Sequence, residues 1–133
     1  MSNKKPVVVY GASGYTGKLV IEYLREYQVP FIAAGRNKQR MEEALALIPG
    51  IETADYDVVE GEHTVEALTE LLDGAQVICN TVGPFAYFGE AVIQAAANTK
   101  VHYMDTTGEQ GFMLEMREKY GDAFAANGKI LAP

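Results

Sequence analysis

The chain has 133 residues, 48% of them hydrophobic, and its 18 acidic against 11 basic residues give a formal net charge of −7. This length and composition fit one soluble globular domain with a core of its own. The acidic balance and the scattered basic residues argue against a nucleic-acid surface. No window approaches the roughly 18 consecutive apolar residues of a membrane-spanning helix, so no transmembrane segment is predicted.

Compartment and metal chemistry can also be addressed from composition. The polar start of the chain lacks the apolar segment of a signal peptide, which predicts a cytoplasmic location. The single cysteine, Cys79, lies in an apolar run and is expected to be a buried structural thiol. His63 has no neighbouring cysteine or histidine, so the sequence predicts no metal site.

The first predicted elements are a strand, a tight turn and a helix. A run of β-branched residues from Val7 leads into glycines at positions 11, 14 and 17, and apolar residues then recur with helical spacing. The helical positions are Thr16, Leu19, Val20, Tyr23, Leu24 and Tyr27. In a dinucleotide-binding βα unit such glycines allow the turn, the approach of a pyrophosphate and the packing of helix on strand.

The glycine spacing, G-x-x-G-x-x-G, departs from the usual G-x-G-x-x-G, so two other glycine motifs were tested. A phosphate-binding P-loop is excluded because Ala12 stands where its first glycine belongs and Leu19 replaces its hydroxyl residue. A nucleophile elbow around Ser13 is excluded because Tyr15 replaces its second glycine. The dinucleotide interpretation is therefore favoured.

The second predicted strand, Phe31 to Ala34, ends at a basic tip. No acidic residue lies between Pro30 and Met41, where NAD-binding units place the acid that holds the ribose. The tip instead carries Arg36, with Lys38 and Arg40 following. An arginine at this place accommodates the 2′-phosphate of NADP, so NADP is predicted as the cofactor and NAD is the less favoured alternative.

Asn37 is predicted to cap a second helix that ends at Pro49-Gly50. A weaker third strand is predicted from Ile51 to Asp55, with Asp55 at its carboxyl end. An acid there would either meet the adenine amino group or belong to a polar loop. The next helix is predicted over residues 64–73.

The fourth predicted strand, residues 76–81, continues into Val82-Gly83-Pro84 and is expected to lie beside the glycine turn. Small residues there would let the ribose or nicotinamide approach the backbone. Tyr87 and Phe88 are either pocket or core residues.

A helix over 90–98, a strand over 101–104, a core-facing helix from Phe112 and a strand from Lys129 follow. These elements predict an α/β Rossmann-type doubly wound parallel sheet of order 3-2-1-4-5-6.

Four ordered motifs carry a family resemblance: GASGYTG, AAGR, NTVGPF with a following Phe88-Gly89, and HYMDTTGE. Together they resemble the N-terminal NADP-binding domain of saccharopine dehydrogenase-like oxidoreductases, a family that includes trans-acting enoyl reductases. The resemblance covers nearly the whole chain. It implies a nicotinamide-dependent reductase or dehydrogenase whose first domain holds the cofactor, while a later domain supplies substrate contacts and association.

The resemblance also implies roles for individual residues. The glycine turn would hold the pyrophosphate, Arg36 the 2′-phosphate, and the segment after the fourth strand the ribose and nicotinamide, while Asp105 and Thr106 would face the cleft. The candidate cofactor-binding residues are Gly11, Ala12, Ser13, Gly14, Tyr15, Thr16, Arg36, Asp55, Thr81, Val82, Gly83, Pro84 and Asp105.

The family's later domain is not found in residues 1–133, so the chain is expected to be the N-terminal part of a longer protein. Its predicted role is to position the nicotinamide for hydride transfer with a small-molecule substrate held by that domain, and the longer protein is a possible homodimer. The alternative is a non-catalytic NADP(H)-binding sensor. No catalytic residue is predicted, because no tyrosine has a lysine four positions later and Asp105 and Glu109 are equally suited to loop roles.

Overall fold

A computed structural model describes residues 4–133 as a parallel sheet with helices on both faces. The strands are β1 (Val7–Tyr10), β2 (Phe31–Gly35), β3 (Tyr56–Glu60), β4 (Val77–Asn80), β5 (His102–Asp105) and β6 (Leu131–Ala132). The helices are α1 (Tyr15–Glu26), α2 (Lys38–Ala46), α3 (Val65–Leu72), α4 (Phe85–Thr99) and α5 (Gln110–Ala126). Six strands in the order β3-β2-β1-β4-β5-β6 confirm the predicted doubly wound fold.

The central strand β1 is buried on both faces, as its unbroken apolar sequence predicts. Val8 lies opposite Ile32 of β2 and opposite Ile78 of β4 in parallel register. Tyr10 in the same way lies beside Ala34 and Asn80. The carboxyl ends of β1, β2 and β4 therefore meet at one edge of the sheet, where a doubly wound fold binds its ligand.

Successive β1 residues point into two separate cores because side chains alternate along a strand. Val8 and Tyr10 belong to the core covered by α3, α4 and α5, while Val7 and Val9 belong to the core covered by α1 and α2. Phe112, Met116 and Phe124 of α5 are buried in the first core, as expected from their helical spacing. Within residues 4–133, none of the helices has the length and apolar character that a bilayer crossing demands.

The third strand was predicted five residues too early. Gly50 adopts a left-handed conformation with φ of 78°, Ile51–Thr53 then form a short 3-10 turn, and the strand begins only at Tyr56. Asp55 thus precedes β3 instead of ending it, and its Oδ1 lies 3.0 Å from Lys5 Nζ. The prediction that Asp55 lies at the carboxyl ends of the strands, where the cofactor is expected, is wrong. Asp55 precedes β3 and therefore lies at the amino ends of the parallel strands.

Candidate cofactor site

The glycine turn joins β1 to α1 through backbone hydrogen bonds. The Gly11 and Ala12 N–H groups both donate to the Ala34 carbonyl oxygen, at 2.9 and 3.2 Å, and Gly14 N–H donates to the Gly11 carbonyl at 3.0 Å. Gly14 caps α1 without a side-chain hydrogen bond, and no acidic residue lies in the first turn of α1. The positive end of α1 is therefore presented at the carboxyl edge of the sheet without a compensating side chain.

Gly11 is the position where the turn most needs glycine. Its φ of 89° lies in the left-handed region, and a Cβ there would be 2.7 Å from Thr81 Oγ1. Thr81 itself is tied to β1, because its Oγ1 donates to the Tyr10 carbonyl oxygen at 2.7 Å and its N–H donates to the same oxygen at 2.9 Å. The Thr81 hydroxyl thus holds the glycine turn against the end of β4.

A cavity of about 440 Å³ opens beside this turn. Its lining residues are Tyr10, Gly11, Ser13, Gly35, Arg36, Asn37, Arg40, His63, Val82, Gly83 and Phe88. The cavity has an apolar wall from the segment after β4 and from α4, and a basic wall from the residues that follow β2 and the start of α2. Such a shape suits a planar ring system joined to an anionic group.

Arg36 supplies positive charge to the basic wall. It directly follows β2 and is exposed, and Arg40 lies within the next helix turn. The Asn37 side chain accepts a hydrogen bond from Arg40 N–H at 2.9 Å and so caps α2. The cap explains how basic side chains are tolerated at this helix start, where cations oppose the helix dipole.

His63 contributes an aromatic wall that the sequence did not predict. Its Nδ1 lies 2.7 Å from the Tyr10 hydroxyl, with which it shares a hydrogen bond, and its ring packs edge-on against Phe88 at 5.5 Å. Burial lowers the pKa of His63, and the positive charge of Arg36 also lowers it, although the Phe88 backbone acts in the opposite direction. His63 therefore joins the loop after β3 to the ends of β1 and α4 as a neutral imidazole.

This lowered pKa predicts an acid-sensitive fold. Because the unfolded state binds the proton more readily than the folded state, the contribution of His63 is full above its ordinary pKa and is lost as pH falls from there through the lower pKa of the folded state. We expect wild type to lose more unfolding free energy between about pH 7.5 and about pH 5 than His63→Gln does. Urea unfolding at both pH values measures this, and equal losses in the two proteins would contradict it.

Asp105 lies at the carboxyl end of β5, next to the end of β4. Its Oδ2 accepts a hydrogen bond from the Tyr103 hydroxyl at 2.5 Å, and its Oδ1 accepts one from Thr107 N–H at 2.9 Å. Burial raises the pKa of Asp105 and the charge of Glu109 adds to this, whereas the two hydrogen bonds lower it. Its carboxylate is engaged by β5 and the following loop and does not line the cavity.

The predicted site residues divide into three groups. The cavity is lined by Gly11, Ser13, Arg36, Val82 and Gly83. Outside the lining, but at the same carboxyl end of the strands, are Gly14, Tyr15 and Thr16 around the start of α1, Thr81 and Pro84 after β4, and Asp105 as the last residue of β5. Ala12 is fully buried with the core of α1 and α2, and Asp55 lies at the far edge of the sheet.

Several lining residues were not among the candidate cofactor-binding residues, although Phe88 was expected to be either a pocket or a core residue. They are Tyr10, Gly35, Asn37, Arg40, His63 and Phe88. His63 was missed because the third strand was predicted too early in the sequence. The loop at the carboxyl end of that strand was therefore not expected at residues 61–63. Residues 56–60 do contain the needed clue, since the apolar side chains of Tyr56 and Val58 alternate with Asp57.

Known proteins share both the sequence and the fold. A lipid droplet localized protein of Caenorhabditis elegans is 36% identical over 122 residues, covering 86% of this chain and 29% of the relative. A trans-acting enoyl reductase of Mycobacterium leprae (strain TN) is 33% identical over 125 residues, covering 92% of this chain and 30% of the relative. The chain thus spans about 30% of the length of these relatives.

Among solved structures, an NADPH-dependent quinone oxidoreductase of Escherichia coli, complexed with NADPH, has a TM-score of 0.67 and 23% sequence identity. The match covers 88% of this chain and 45% of that one, and at this identity it shows the fold alone. The family model for the saccharopine dehydrogenase NADP binding domain matches residues 7–128, which include the glycine turn, Arg36 and the β4 to α4 segment. The chain therefore belongs to the saccharopine dehydrogenase NADP-binding domain family, and NADP is its cofactor.

Proposed function

We propose that this chain binds NADP(H) across the carboxyl edge of its sheet and positions the nicotinamide for hydride transfer to or from a small-molecule substrate. The pyrophosphate is held at the start of α1, the adenosine half in the cavity beside Arg36, and the nicotinamide half next to residues 81–84. The observation that carries this proposal is the cavity that Arg36 and Arg40 line together with Gly11 and Ser13 of the glycine turn.

The residues present fit the cofactor. Gly11 leaves open the space that a Cβ would fill beside Thr81 and Val82, and Gly14 ends the turn without a side chain over the start of α1. Backbone N–H groups in that place are suited to phosphate oxygens. A cavity wall with two arginines is suited to a 2′-phosphate, which adenosine in NADH lacks.

In the proposed reaction the bound cofactor supplies the hydride chemistry. The residues of this chain bind and orient it: Arg36 fixes the adenosine end, the glycine turn fixes the pyrophosphate, and Val82 and Gly83 border the crevice on the β4 side. Such a division requires no nucleophilic side chain from the domain itself.

Replacing Arg36 with alanine should weaken NADPH binding about ten- to a hundred-fold, because one charge-assisted hydrogen bond contributes about 1.5–3 kcal/mol. NADH binding should change less than twofold, since NADH has no 2′-phosphate for the guanidinium to contact. Calorimetric titration of the full chain with each dinucleotide at low phosphate concentration measures both affinities.

Arg117→Ala is the matched control, because Arg117 is an exposed arginine on α5, away from the cavity. It should leave the affinity for NADPH at the wild-type value. Equal affinities of the wild-type protein for NADPH and NADH would contradict the proposed role of Arg36. Wild-type protein that binds neither dinucleotide would refute the proposed function.

Because the matched relatives are about three times as long as this chain, we propose that the substrate contacts a further part of the protein. Residues 1–133 would then be the cofactor domain of a longer oxidoreductase. Its homodimerisation and its cytoplasmic location stay predictions.

A further inference from the structure

We propose that a closed chain of hydrogen bonds around residues 81–84 positions the nicotinamide half of the site, with Tyr103 and Glu109 as its positioning residues. This inference rests on the proposed function and adds to it that different side chains position the two halves of the cofactor. The adenosine half depends on the wall around Arg36, and the nicotinamide half depends on the ring of bonds described below.

The ring begins at Asn80, the last residue of β4. Among residues 4–133, and apart from the tyrosines, Asn80 is the only buried residue with a polar or charged side chain, and 0% of its surface is exposed. Its Oδ1 accepts a hydrogen bond from Val82 N–H at 3.0 Å, and its Nδ2 donates to the Tyr103 hydroxyl at 3.1 Å. A buried amide is tolerated only when its polar atoms are satisfied, so both bonds constrain the start of the segment.

The second part of the ring passes through β5. The Tyr103 side chain is 1% exposed, and its hydroxyl donates to Asp105 Oδ2 while accepting from Asn80. Asp105 Oδ1 then accepts from Thr107 N–H, and Thr107 Oγ1 accepts from Glu109 N–H at 3.0 Å. The Tyr103 hydroxyl thus links the end of β4 to the loop that follows β5.

Glu109 closes the ring at the start of α4. Its Oε2 accepts a hydrogen bond from Phe85 N–H at 2.8 Å, and its Oε1 accepts one from Ala86 N–H at 3.0 Å. A carboxylate at this place satisfies two free donors of the helix and complements the helix dipole. Because Asn80 holds Val82 and Glu109 holds Phe85, residues 81–84 are fixed at both ends.

The position of this ring in the sheet indicates which half of the cofactor it acts on. It involves only residues from β4 onward, on the β4–β5 side of the sheet, whereas Arg36 and Arg40 follow β2 on the other side. A doubly wound sheet binds a dinucleotide across the switch point between β1 and β4, with one mononucleotide on each side. The ring therefore acts on the nicotinamide side, and none of its hydrogen bonds involves a residue of the basic wall.

The test compares two ligands on the full chain: NADPH, and adenosine 2′,5′-bisphosphate, which carries the 2′-phosphate but no nicotinamide. Tyr103→Phe and Glu109→Gln should each weaken NADPH binding about fivefold, the equivalent of one hydrogen bond of about 1 kcal/mol. Binding of the bisphosphate should change less than twofold. The fluorescence of bound NADPH should also shift in both variants, because it reports the surroundings of the nicotinamide ring.

Tyr120→Phe is the matched control, since the Tyr120 hydroxyl donates to Glu90 Oε2 at 2.8 Å between α4 and α5, outside the ring. It should change neither affinity. Equal weakening of both ligands by Tyr103→Phe and Glu109→Gln, or no weakening of NADPH, would overturn this inference while leaving the proposed function intact. Wild-type protein that binds neither ligand would overturn both.

Discussion

Gly17→Ala is expected to lower the free energy of unfolding by about 3 kcal/mol and to abolish NADPH binding. A Cβ at this position would overlap the Gly11 carbonyl oxygen and lie 3.0 Å from Ala12 Cα. Both groups are backbone, so relief requires α1 to move away from the glycine turn. Urea unfolding followed by circular dichroism measures the stability, and calorimetric titration measures NADPH affinity.

Gly14→Ala provides the control for this prediction. Gly14 has an ordinary extended backbone with φ of −79°, and a Cβ there would lie 3.4 Å from the same Gly11 oxygen. We expect it to cost no more than about 1 kcal/mol, the usual range for a change at a helix cap. Equal stability losses in the two variants would show that α1 does not depend on close contact at Gly17.

The contact at Gly17 also explains a feature of α1 that the sequence did not predict. Helical spacing correctly indicated a helix, but Tyr23 and Tyr27 of the predicted apolar positions are 59% and 73% exposed. The buried positions are Gly17 and Ile21, because the close approach of Gly17 to the turn fixes which face of the helix meets the sheet. Periodicity alone gave the helix and left its rotation undetermined.

The sheet order was predictable for a different reason. Strands of unbroken apolar residues separated by amphipathic helices require a parallel sheet covered on both faces, and right-handed crossovers leave few orders. The edge strand β3 lacked this signal, since it alternates exposed and half-buried residues and follows a turn that contains the apolar Ile51. Because β3 was predicted too early in the sequence, Asp55 was included among the candidate site residues and His63 was left out.

Within the site, the position of a residue at the sheet edge was predictable where one residue type has one physical task. The glycines of the turn and Arg36 after β2 could be placed from sequence because their spacing from the strands fixes their position at the sheet edge. Glu109 could not be assigned in this way. Its carboxylate caps α4, a helix distant in sequence, and only the pairing of β4 with β5 brings the two together.

Gly89→Ala is expected to lower the free energy of unfolding by about 2 kcal/mol, although alanine favours a helix over glycine by about 1 kcal/mol. A Cβ at Gly89 would overlap Phe112 Cζ and lie 2.8 Å from Phe112 Cε1. The Phe112 ring is 6% exposed and packs against Phe85 at 6.1 Å, so it has little room to retreat. Urea unfolding gives the loss.

The effect of Gly89→Ala on the free energy of unfolding should change sign in a Phe112→Leu background. Leucine removes the ring atoms that the new Cβ would meet, so the clash disappears and only the helix preference of alanine remains. We expect Gly89→Ala to stabilise the Phe112→Leu protein by about 1 kcal/mol, a coupling of about 3 kcal/mol between the two positions. The contact between Gly89 and Phe112 sets how closely α4 approaches α5, and Glu109 at the start of α5 caps α4. A coupling near zero would contradict this, because α4 would then be positioned by its cap and by the sheet rather than by Gly89.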